Sequence, residues 1–227
     1  MKELFDDWPE KYDRWFETPM GRLIKGYESA LIHRMLAPGS GESILDAGCG
    51  TGIFTAEILK TGATVVGLEL AFSMLQRART RLAQQAFQPV AGDMLGLPFV
   101  DDSFHKSVSV TAIEFIDNAT FAVEELFRVT KPGGIIVVAT LNALSPWAQR
   151  RREAAQKGHP LFRHTVFRSP EAVKDLYPMD CVVKSAVHFQ KDDDLDIAQK
   201  IEESGSEKGL ETGAFLAARW IKPVYST

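Results

Sequence analysis

Residues 44–52 read Ile-Leu-Asp-Ala-Gly-Cys-Gly-Thr-Gly, an apolar run that ends in an acid and passes into glycines at alternate positions, Gly48, Gly50 and Gly52. The apolar run suits a strand buried on both faces. The spaced glycines let the backbone turn tightly and approach a ligand with no Cβ in the way. A helix is predicted to begin near Ile53. A strand, a glycine loop and a helix in this order commit the chain to a parallel α/β sheet, with a ligand at the carboxyl end of the first strand. Asp46 narrows the ligand. A dinucleotide loop has the spacing G-x-G-x-x-G and receives a pyrophosphate. Here the spacing is G-x-G-x-G, and a carboxylate stands two residues before the first glycine. That charge disfavours a pyrophosphate and suits a cation. No G-x-x-x-x-G-K-[ST] segment occurs, which excludes a P-loop.

The rest of the chain continues the alternation. Strands are predicted at 43–47, 64–69, 87–91, 105–111 and 134–140, and helices at 53–60, 71–85 and 117–129. Before them, residues 22–36 carry apolar side chains at helical spacing and stop at Pro38-Gly39, and residues 5–20 set Phe5, Trp8, Tyr12, Trp15 and Phe16 among charges. Lys131-Pro132-Gly133-Gly134 reads as a turn. Beyond Thr140 the pattern predicts a helix at 145–157, a cationic loop at 158–170, a short helix at 170–176 and strands at 182–190 and 213–221, the last two an antiparallel pair. An acidic segment beginning Asp192-Asp193-Asp194 separates them. The expected organisation is one domain over 1–227: a helical lid (1–38), a binding core (40–140), a helical insert (141–180) and a strand pair (181–227).

The chain has 227 residues, 45% of them hydrophobic and 25% charged, with a formal net charge of −4. That length supports one sizeable core. The acidic balance argues against a general nucleic-acid binder. No apolar run is long enough to span a membrane, and the N-terminus lacks a signal-type apolar region. The two cysteines, Cys49 and Cys181, form neither a disulfide framework nor a zinc pattern, so no metal is expected and the cytoplasm is the expected compartment.

Ile44–Gly52 resembles motif I of the class I S-adenosylmethionine-dependent methyltransferases. It is most similar to their small-molecule, type 11 branch, which includes the ubiquinone/menaquinone-biosynthesis C-methyltransferases. Three further stretches agree: Glu69 at the end of the second strand, with Leu70 to Leu75 after it; Gly92-Asp93-Met94 after the third; and Leu97-Pro98-Phe99 with Asp101-Asp102-Ser103-Phe104 before the fourth. Ala71-Phe72 replaces the family's usual serine-proline pair. The resemblance covers roughly residues 40–140. It implies a Rossmann-like, doubly wound α/β fold with a seven-stranded, mostly parallel sheet, an antiparallel last strand and an N-terminal helical lid. It implies S-adenosyl-L-methionine as cofactor, held by Asp46, Ala47, Gly48, Cys49, Gly50 and Gly52, by Glu69 on the ribose, by Leu70 and Met74, by Gly92, Asp93 and Met94 around the adenine, and by Thr111. The partner expected is a small-molecule methyl acceptor, with a homodimer left open.

The chemistry is an in-line displacement that needs alignment more than a fixed triad. If a base is needed, the candidates are Glu114, Tyr12 and His164. The expected pocket walls are Tyr12, Trp15, Phe16, Glu114, Phe115 and parts of 142–168. The cationic stretch Arg163 to Arg168 is expected to favour an acidic acceptor. Plainer roles stand beside these. Cys49 is a small packing residue, Met74 equally a core residue, Asp101 and Asp102 turn residues, and His105 lies at the wrong end of its strand. His33 packs or faces water, Lys191 to Asp194 is a solvated loop, and Arg150 to Arg152 form a solvated helix face in preference to a substrate anion site. Three other functions remain open: a non-catalytic S-adenosylmethionine sensor, an NAD(P)-dependent oxidoreductase, and a nucleic-acid methyltransferase, the last opposed by Thr111-Ala112-Ile113-Glu114 where an N-P-P-Y-like tetrad would stand.

Overall fold

A computed structural model describes residues 9–224; Phe5 and Trp8 lie outside the described residues. Seven strands form one sheet in the order β3-β2-β1-β4-β5-β7-β6. They are β1 (Ser43–Ala47), β2 (Thr64–Glu69), β3 (Phe87–Ala91), β4 (Phe104–Val110), β5 (Thr130–Leu141), β6 (Val182–Ala186) and β7 (Phe215–Ile221). β1 to β5 run parallel, while β7 pairs antiparallel with both β5 and β6. The last strand is thus inserted between its neighbours, and β6 takes the edge. The chain order reverses between β1 and β4, and a crevice at the carboxyl ends of the strands is where a doubly wound sheet binds ligands.

Alternate residues of β5 supply two cores. Val137 and Ala139 face a cluster built from α2 (Pro19–Leu36) and α3 (Ile53–Leu59), with Ala198 of α8 (Leu195–Glu207). Ile136 and Val138 face α5 (Ala119–Val129) and α7 (Pro170–Lys174). This period of two is what a sheet covered on both faces requires. β3 pairs with β2 alone, and such an edge strand accommodates Pro89, which has no N–H to give.

Several predicted boundaries move. α2 begins at Pro19, because Thr18 caps it by accepting a hydrogen bond from Gly21 N at 3.0 Å. It packs Leu31, Ile32, Met35 and Leu36 into the core. The helix is therefore a layer of the fold, and α1 (Pro9–Glu17) precedes it. α4 (Phe72–Arg81) is shorter than predicted. β5 starts at Thr130, because the Lys131–Gly134 turn is a bulge within the strand, with Gly133 at φ 77°. β6 ends at Ala186. The acidic segment after it is the start of an unpredicted helix, α8: Asp194 caps it by accepting from Asp196 N at 3.0 Å. The helix of the insert is α6 (Pro146–Gln156), capped by Ser145.

Candidate active site

A cavity of about 730 Å³ opens at the carboxyl ends of β1, β2 and β4. Its volume lies in the range of small-molecule sites. The glycine loop forms one wall. Gly48 has φ 79°, and a Cβ there would come within 2.4 Å of the Ala112 Cβ, so only glycine lets the loop pass the end of β4. Gly50 has φ 56° and open space where its Cβ would point, which leaves its backbone accessible to a ligand.

Asp46 is 2% exposed. Its Oδ2 accepts from Thr55 Oγ1 at 2.6 Å, while Oδ1 is buried without a partner. Burial, opposed by the Thr55 bond, raises its pKa to about 6. Glu69 accepts from Gly50 N at 2.9 Å and from Ala71 N at 2.8 Å, which fixes its carboxylate against the loop. Burial raises this acid too. Asp93 accepts from Leu95 N at 2.9 Å.

Asp46, Gly48, Cys49, Gly50, Glu69, Leu70, Met74, Gly92, Asp93, Met94 and Thr111 all line the cavity. Ala47 and Gly52 do not. Ala47 is buried in the second core cluster, and Gly52 precedes α3 at φ 76°. Burial pushes the Cys49 thiol well up, which suits a packing residue. Thr111 adopts φ 47°, an uncommon conformation for a β-branched residue and one that marks a constrained site.

The far end of the cavity holds the candidate bases. Glu114 lies in a 3-10 turn after β4 and is 0% exposed. Its Oε2 accepts from Thr140 Oγ1 at 3.1 Å, its Oε1 is buried and unpartnered, and burial raises its pKa to about 7. Tyr12 lines the cavity from α1, and burial drives its phenol far above the ordinary range, against an opposing interaction with Thr111. The shift favours the protonated phenol. His164 is exposed, does not line the cavity and accepts from Arg163 Nε at 2.9 Å, so its placement removes it from the candidates.

The cationic stretch also departs from expectation. Arg163 is exposed, and Arg168 is buried behind the 3-10 turn, donating to Ile113 O at 3.1 Å. Neither lines the cavity. Two guanidiniums of the helix expected to be solvated do line it: Arg150, exposed and paired with Asp192, and Arg151. Arg151 packs 5.3 Å from the Trp147 ring centroid, and its Nη1 is buried and unpartnered. Glu28 of α2 enters beside it, 8% exposed, with its pKa raised by burial to about 8. The sequence holds a signal for both. Glu28 interrupts the apolar stripe Ile24, Leu31, Met35, and Arg151 lies four residues after Trp147, on the same helix face.

α1 is held down by one acid. Asp13, 4% exposed, accepts from Thr51 Oγ1, Arg77 Nε and Arg81 Nη2 at 2.8, 2.9 and 2.7 Å. Arg81 also donates to Thr51 O.

The family described as "Methyltransferase domain" matches residues 45–138, the stretch that carries the glycine loop and all three strand-end acids. Over that stretch the chain is similar to a methyltransferase domain. Among its curated relatives, a malonyl-[acyl-carrier protein] O-methyltransferase of Pectobacterium atrosepticum is 36% identical over 68% of this chain and 60% of its own. A demethylmenaquinone methyltransferase of Corynebacterium kroppenstedtii is 35% identical over 60% of this chain and 57% of its own. A malonyl-[acyl-carrier protein] O-methyltransferase of Erwinia pyrifoliae is 42% identical over 46% of this chain and 39% of its own, so the chain spans only part of the length of the curated relatives it matches. The methyltransferase-domain fold extends further than the sequence match. A S-adenosylmethionine-dependent methyltransferase from Thermotoga maritima superposes over 98% of this chain and 100% of its own, at TM-score 0.77 and 22% identity. Among the described residues no helix is long and apolar enough to cross a membrane, and no cluster of three His, Cys, Asp or Glu could hold a metal ion.

Proposed function

We propose that the chain transfers a methyl group from S-adenosyl-L-methionine to a small-molecule acceptor. The observation that carries this reading is Asp46 Oδ1, a buried carboxylate oxygen with no partner beside the glycine loop. An anionic orphan there fits an ammonium group and repels a pyrophosphate. Gly50, Glu69 and Asp93 supply an open backbone position and two acids suited to a ribose and an adenine amino group. Bound there, the cofactor would supply an electrophilic methyl group. The protein's own part is to align the acceptor, exclude water and take up a proton where one is released. Glu114 is the proposed base, and the acceptor pocket is proposed between α1, the 3-10 turn and α6. A cytoplasmic site of action is part of the proposal, supported by the sequence reading; a homodimer stays an alternative to the monomer.

Titration calorimetry with S-adenosylmethionine, its demethylated product S-adenosylhomocysteine and NAD(P) tests the reading. The expected result is binding of the first two and none of NAD(P). Binding of NAD(P) alone would overturn it.

A further inference from the structure

Among the ionisable side chains that line the cavity are three from separate elements: Glu28 from α2, Glu114 from the turn after β4 and Arg151 from α6. They sense one another's charge. Yet Glu114 Oε1 and Arg151 Nη1 are both buried without a hydrogen-bond partner. A buried donor or acceptor left unpaired keeps the full cost of its lost hydration. Two such groups in one cavity, one an acceptor and one a donor, specify what completes them. An ammonium only donates and leaves the guanidinium bare. A carboxylate only accepts and meets Glu114 as a like charge. A hydroxyl does both.

We propose that the acceptor presents a weakly acidic hydroxyl, an enol or phenol, on an apolar body, with Glu114 taking its proton and Arg151 holding its oxygen. This rests on the methyltransferase reading above. The acceptor's O–H bond breaks and the proton passes to Glu114 Oε1. The freed oxygen pair forms the new O–CH3 bond. The donor's S–CH3 bond breaks, and its electron pair stays on sulfur, leaving S-adenosylhomocysteine. Glu114 is suited to this because its raised pKa lies near neutrality. The body is apolar because Trp147, Phe115 and Phe162 wall the same space.

The test titrates 4-nitrophenol, 4-nitrobenzoate and 4-nitrobenzylamine into wild type, Glu114→Gln and Arg151→Met, each saturated with S-adenosylhomocysteine. The phenol is expected to bind about tenfold more tightly than the other two. It should appear as the coloured phenolate at a pH below the free phenol's own pKa. Arg151→Met is expected to abolish that colour and weaken the phenol about tenfold, and Glu114→Gln to bind the phenol without ionising it. Equal affinities, a preference for the amine or the benzoate, no binding of the phenol, or colour untouched by both substitutions would overturn the inference. Normal S-adenosylhomocysteine binding in those cases leaves the methyltransferase reading standing. Its absence in wild type overturns both.

Discussion

Asp13 Oδ2 accepts a hydrogen bond from Arg81 Nη2 at 2.7 Å, joining α1 to the end of α4. The same carboxylate also reaches Arg77 and Thr51, so one acid fastens α1 to a helix and to the glycine loop together. Breaking a buried pair from one side costs about 3–5 kcal/mol, less here because Arg77 can turn to water. Asp13→Ala is expected to loosen α1 and to lower S-adenosylhomocysteine affinity about tenfold. Hydrogen exchange should quicken in Pro9–Glu17 and stay unchanged in the sheet. Unchanged exchange across α1 would show that the latch does not hold it.

Asp46 sets function against stability. Its pKa, raised to about 6, means that its stabilising contribution is full below the ordinary carboxylate range and is lost as pH rises through about 6. Above that pH a buried charge with one bare oxygen is retained. Asp46→Asn is expected to melt no lower than wild type at neutral pH and to lose S-adenosylmethionine affinity about tenfold or more. Thermal melting and calorimetry on one preparation measure both. Affinity equal to wild type would remove Asp46 from the cofactor site.

The half of the cavity proposed for the cofactor was legible because its residues are local in sequence. Asp46, Glu69 and Asp93 each close a strand, and the glycines between them have backbone reasons that show in the letters. The acceptor half was not, because it is assembled from distant elements. Glu28 and Arg151 are 123 positions apart, and only the packing of α2 and α6 brings them into one cavity. Counting cations pointed to Arg163 and Arg168, while burial selected Arg151. α8 escaped for a local reason. Its opening acids look like a solvated loop until Asp194 is seen as a cap, and Gly205 lowers its apparent helicity.

Glu28 and Glu114 give the acceptor pocket a pH signature. Burial raises Glu28 to about 8 and Glu114 to about 7, and the charge of Glu114 adds to the rise at Glu28. A raised carboxylate stabilises the fold while protonated, and that stability is lost as pH rises through its folded pKa. The melting temperature is therefore expected to fall as pH rises from the ordinary carboxylate range to about pH 8, with both acids contributing up to about pH 7 and Glu28 alone above it. Glu28→Gln should remove the fall above about pH 7, and Glu114→Gln should reduce it only below that pH. Melting curves across this interval that are identical for all three proteins would remove both acids as its source.

Glu202 and His188 tie α8 to the end of β6 by a buried pair, 6% and 3% exposed, with Nδ1 to Oε2 at 3.1 Å. The same carboxylate accepts from His188 N at 2.7 Å. The imidazole lies where a Cβ on Gly205 would stand, 2.5 Å from its Cγ, which explains a glycine inside the helix. The Glu202 bond raises His188, so its contribution is full below the ordinary imidazole range and is lost as pH rises through the folded value. Glu202 is lowered, against its own burial, by its bonds to His188, and its contribution is lost as pH falls through its folded value. The pair therefore stabilises most between the two. Glu202→Gln is expected to cost about 1–3 kcal/mol in that interval and little outside it. Urea unfolding of both proteins across pH reads this directly, and a difference independent of pH would mean that packing, not charge, holds α8 in place.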